Sequence, residues 1–109
     1  MKINVLGTTY TVRERTEDQD KMLETCDGYC DKTIKTILIV KNPKECNLKD
    51  FEVYRKKVLR HEIIHAFLFE SGLHENFKHD LYGHDETIID WIAVQFPKMQ
   101  KCFETAGCL

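Results

Sequence analysis

The sequence predicts a small α+β domain in which short strands come first and two helices follow. Three patterns predict it. Apolar and polar residues alternate near the N-terminus, a β-branched run occupies 33–40, and apolar residues recur at helical spacing across 48–69 and again across 85–96. At 109 residues the chain is long enough for one modest core and too short for a second.

Ile3 and Val5, then Tyr10 and Val12, alternate with polar residues on either side of Gly7, which reads as a β-hairpin. Residues 14–26 carry only Met22 and Leu23 as large apolar side chains, so a surface loop or short helix is expected there. Asp27-Gly28 signals a turn. The stretch from Thr33 to Val40, TIKTILIV, becomes nearly continuously apolar after Lys35, the pattern of a strand covered on both faces. Asn47 is a suitable N-cap, with Asp50 in the first turn, for a helix running to a stop at Gly72. A second helix is expected from about Asp85 to Phe96, its apolar stripe formed by Ile88, Ile89, Ile92, Ala93 and Phe96, with Pro97 interrupting it.

A net charge of −2 and a pI near 6.2 argue against a general nucleic-acid binder, which would carry a strongly basic face. No segment approaches the roughly 18 apolar residues of a membrane span. The opening MKINVLGTTYTV lacks the apolar run and cleavage site of a signal peptide, so a cytoplasmic location is expected. In that compartment the five cysteines (Cys26, Cys30, Cys46, Cys102 and Cys108) are expected as free thiols; none forms a C-x-x-C pair.

The chemistry concentrates in His61-Glu62-Ile63-Ile64-His65. Residues four apart on a helix lie on one face about 6 Å apart, so both imidazoles can reach one cation. Glu62 is displaced round the helix from either histidine, where a general base can stand beside the site without ligating. Two half-buried histidines and an ion-paired glutamate would give the same five letters, so a third ligand must decide.

The metzincin pattern requires glycine and histidine three and six residues after the second histidine, where this chain has Leu68 and Ser71. Glu86 opens the second helix, and Asp90 follows one turn later, placed to accept the other ring N–H of a ligating histidine. Asp85 could serve the same outer role or cap the helix. His84, His79, Glu70 and His74 are rival third ligands; Glu86 is preferred because that choice alone gives Asp90 a purpose.

With HEIIHAFLFESGL at 61–73, DETIIDWIAVQFPKM at 85–99 and GYCDKTIKTILIV at 28–40, the chain resembles the gluzincin metallopeptidases. More narrowly it resembles the minimal ones, the minigluzincins and the small ImmA/IrrE-type peptidases of phages and mobile elements. The resemblance implies a zincin-like domain with a short mixed sheet packed on the active-site helix and a second, ligand-bearing helix. It implies Zn2+ held by His61, His65 and Glu86, and Glu62 as general base in peptide-bond hydrolysis. The strand near 33–40 or its neighbour would border the cleft, and an extended peptide or protein substrate would pair alongside it. Tyr82, His84 and His79 are the nearby candidates to stabilise the oxyanion. Members this small lack a second lobe, which implies activity that is weak, latent or dependent on a partner. The alternative expectation is a zinc-holding regulatory or interaction module without meaningful turnover.

Overall fold

The computed structural model describes residues 1–72, His74 and 85–106, the last five as backbone. Among these residues it is an α+β domain with four strands in one mixed sheet and two helices. Strands β1 (Lys2–Val5), β2 (Thr8–Arg15), β3 (Gly28–Asp31) and β4 (Thr36–Val40) lie in the order β1-β2-β4-β3. β1 and β2 pair antiparallel, β2 and β4 parallel, β4 and β3 antiparallel. A 3-10 turn (Lys21–Glu24) lies between β2 and β3. Helices α1 (Phe51–Glu70) and α2 (Glu86–Ala106) follow. Among the described residues, no helix is long and apolar enough to cross a membrane.

The first hairpin turns on two residues, Leu6 (φ 50°) and Gly7 (φ 92°), a geometry that matches the right-handed twist of the flanking strands. Asn4 Oδ1 accepts the Gly7 N–H at 2.9 Å. The expected strand at 33–40 starts three residues later, at Thr36, because residues 32–35 are spent reversing the chain from β3, with Lys35 at φ 52°. β3 itself was expected as a turn. Gly28 belongs to the strand instead because α1 crosses it closely. A Cβ there would stand 2.9 Å from the Leu38 carbonyl oxygen and 3.0 Å from Val58 Cγ1 and Ile39 Cδ1. Gly28→Val is therefore expected to destabilise the domain by about 1–3 kcal/mol in a urea melt.

All five residues of β4 are buried, so the reading of a strand covered on both faces holds. One face joins Val5, Tyr10, Val12, Ile37 and Ile39 to Val58 and Ala66 of α1. Fully burying each such aliphatic side chain contributes about 1.5–3 kcal/mol. The buried stripe of α1 is Val58, Glu62 and Ala66, one residue per turn, so a glutamate occupies a sheet-facing position in the middle of an apolar row.

α1 begins later than expected. Asp50, not Asn47, is its N-cap, accepting the N–H groups of Glu52 (3.1 Å) and Val53 (3.3 Å). Gly72 (φ 80°) does terminate it. At that end Glu70 accepts hydrogen bonds from Lys35 Nζ (2.5 Å), Tyr10 Oη (2.7 Å) and Thr8 Oγ1 (2.9 Å). It thus ties the helix to both hairpins and is no rival ligand. These donors, Lys35 foremost, lower its pKa from 4.5 to about 2. A depressed carboxyl contributes stability above its unfolded pKa and loses it as pH falls towards the folded value. Between pH 4.5 and 2, wild type is expected to lose more stability than Glu70→Gln, as read by urea melts across that range.

α2 buries Ile89 and Ala93, while Ile88 and Phe96 of the expected stripe are exposed. The helix does not stop at Pro97 but continues to Ala106. The carbonyl that Pro97 cannot serve, Ala93 O, receives Arg60 Nε from α1 at 2.5 Å.

Candidate metal centre

α1 lies between the sheet and α2, and its two polar faces do different work. His61 and His65, one turn apart, face the N-terminal turn of α2. Asp85 caps that turn, its Oδ1 accepting the Ile88 N–H at 3.1 Å. Of the two roles open to Asp85 in the sequence, the structure records the cap. The cap sets Glu86 in the first turn of α2, beside both imidazoles.

The donor atoms converge. His61 Nε2 lies 3.2 Å from His65 Nε2 and 2.9 Å from Glu86 Oε2; His65 Nε2 lies 3.1 Å from Glu86 Oε1. A tetrahedral cation with bonds of about 2.0–2.1 Å requires ligand atoms about 3.3 Å apart. The cluster is close to that size before any adjustment. Two imidazole lone pairs so close would repel each other, so a proton or a cation must lie between them. The donor set of two imidazoles and one carboxylate, with room for a fourth ligand, suits zinc. The histidine side chains are mostly buried, whereas Glu86 stands at the rim with 69% of its side chain exposed.

His61 is oriented from behind. Its Nδ1 lies 3.3 Å from Asp90 Oδ1, so a proton on Nδ1 donates to Asp90 and leaves the Nε2 lone pair for the cluster. Asp90 is held by Lys57 Nζ at 2.9 Å; Lys57, then His61, depresses its pKa and keeps it ionised. Lys57 also lies over the Tyr54 ring (4.9 Å), and Tyr54 donates a short hydrogen bond to Asp27. Lys57 sits four residues before His61 and so on the same helix face, the signal in the sequence for this support.

Glu62 lies round the helix from the histidines, on the buried stripe of α1, and lines the same cleft. It is 7% exposed and makes no hydrogen bond or ion pair among the described residues. Burial first, then the negative charge of Glu86, pushes its carboxyl up to about 7. A buried carboxyl without a partner is costly in a structural role, and it borders the same cleft as the donors.

That cleft, about 720 Å3 in volume, is bounded by α1, the start of α2 and residues 26–30. β4, the strand expected near it, is interior to the sheet; its neighbour β3 is the edge that lines the cleft. One end of the cleft is formed by Tyr54 and Lys57, the other by Phe69 and His74. His74 meets Phe69 edge-on (centroids 4.8 Å apart), and Phe69 stacks on His65 at 6.4 Å. Cys26 and Cys30 also line the cleft. Both are free thiols, as is Cys46, and burial pushes Cys30 up to about 12, so it stays protonated. Tyr82, His84 and His79 lie outside the described residues. Comparison with known protein families, curated proteins and solved structures finds no match to this chain.

Proposed function

We propose that the protein is a zinc-dependent peptidase in which His61, His65 and Glu86 hold the cation and Glu62 is the general base. One observation carries this reading: a buried carboxyl with no hydrogen bond among the described residues shares a single cleft with three converging metal-donor atoms. Bound zinc would lower the pKa of water at its open position to about 7 and polarise a peptide carbonyl.

The chain's own residues supply the rest. The Glu62 carboxylate takes the proton from the attacking water and returns it to the leaving amine, which suits a group titrating near neutrality. Asp90 and Lys57 fix the tautomer and orientation of His61. β3 offers an edge along which an extended peptide can add as a further strand, with main-chain hydrogen bonds giving affinity. The lining residues of α1 run from Tyr54 to Phe69, roughly 22 Å at 1.5 Å per residue, and pass the donors on both sides. That geometry favours cleavage within a chain over trimming of an end. Tyr82, His84 and His79 are the sequence's candidates for the oxyanion donor. Cytoplasmic residence, where its thiols stay reduced, belongs to the same reading.

A second reading is favoured by the exposure of Glu86: a zinc-holding regulatory module whose rim ligand is completed or displaced by a partner protein. The two readings separate in one assay. Zinc-loaded protein is incubated with a fluorogenic peptide library, then with chelator, then with zinc restored. The peptidase reading expects cleavage that disappears and returns; stoichiometric zinc without cleavage of any peptide would favour the module.

A further inference from the structure

Glu86 can serve the cluster only if α2 is held against α1, and the apolar contacts of Ile89 and Ala93 do not fix the register of one helix on the other. A polar link does. Pro97 has no N–H for the carbonyl one turn before it, Ala93 O, and Ala93 is 0% exposed, so water cannot serve that oxygen. Arg60 fills the gap, donating from Nε at 2.5 Å. It is the residue immediately before His61, and Ala93 lies two turns along α2 from Glu86.

We propose that Arg60 is a positioning residue of the metal centre: it replaces the N–H that Pro97 lacks, locks α2 onto α1, and so holds Glu86 opposite His61 and His65. The proposal rests on the reading of the centre given above. Losing the link leaves a buried acceptor unpaired, and α2 must shift to bring it to water. Any such shift carries Glu86 away from the imidazoles.

The pairing makes a specific demand. If Arg60 serves because Pro97 cannot, returning the missing N–H should make Arg60 dispensable. The test compares wild type, Arg60→Met, Pro97→Ala and the double variant. Zn2+ affinity is measured by competition with a chromophoric chelator, and thermal stability by metal-free melts. Arg60→Met keeps the apolar stem and is expected to weaken zinc binding about tenfold or more, the usual cost of losing an outer support. In the Pro97→Ala background the same change is expected to cost less than about threefold, because the helix then serves its own carbonyl. Should Arg60→Met alone fail to fold, the double variant is still expected to fold and bind zinc. Failure of the double variant would overturn the proposal. So would an Arg60→Met protein with lowered melting temperature but unchanged zinc affinity, which would make the link purely structural. A wild-type protein that binds no zinc overturns instead the reading of the centre itself.

Discussion

Glu62→Gln is expected to lower peptide hydrolysis by about 10²–10⁴-fold, the usual contribution of a positioned general base, with zinc affinity nearly unchanged. The same substitution is expected to stabilise the metal-free protein above neutral pH. The carboxyl titrates near 7 in the folded chain against 4.5 ordinarily. The folded state therefore binds a proton more tightly than the unfolded state. Its stability contribution is complete below pH 4.5 and is lost as pH rises through 7. By pH 8, wild type carries an ionised, buried carboxylate, at a cost on the order of 3 kcal/mol. Glutamine keeps the shape and removes the charge. Urea melts in chelator should show the variant more stable at pH 8 and equal to wild type near pH 4. Equal stability at every pH would mean that the Glu62 carboxyl is not buried and raised as described, and an active Glu62→Gln protein would remove it from the mechanism.

Zinc itself is expected to stabilise the fold strongly. Free metal at a hundredfold excess over Kd adds about 2.7 kcal/mol when it binds only the native state. In a domain of this size that corresponds to a rise in Tm of roughly 10–20 °C. His61→Ala combined with His65→Ala should abolish the rise, because the remaining donor, Glu86, stands on a separate helix at the solvent edge. A zinc-induced shift that survives the double substitution would place the metal elsewhere, with Cys26 and Cys30 in the cleft the first residues to examine.

The parts of this site that could be read in the sequence are those set by helical geometry alone. A four-residue spacing puts His61 beside His65, and another puts Glu86 and Asp90 on one face, whatever the sheet does. The remaining parts depend on tertiary contacts. Gly28 reads as a turn until Val58 is seen against it. Pro97 reads as a stop until Arg60 arrives from another helix. Glu62 reads in the sequence as a candidate general base beside the histidines, with nothing to mark its burial. Only the packing of Val58 and Ala66 onto the sheet shows that it occupies a core position and is therefore a shifted acid. β3 carries too few residues to announce itself; it is a strand because β4 pairs with it and α1 packs across it.

X-ray absorption at the zinc edge of protein loaded with one equivalent reads the identity of the ligands themselves. Only nitrogen and oxygen neighbours at about 2.0–2.1 Å are expected, two of them imidazoles, with one imidazole lost in His65→Ala. A sulfur neighbour at about 2.3 Å, or an imidazole count unchanged by that substitution, would contradict this ligand set.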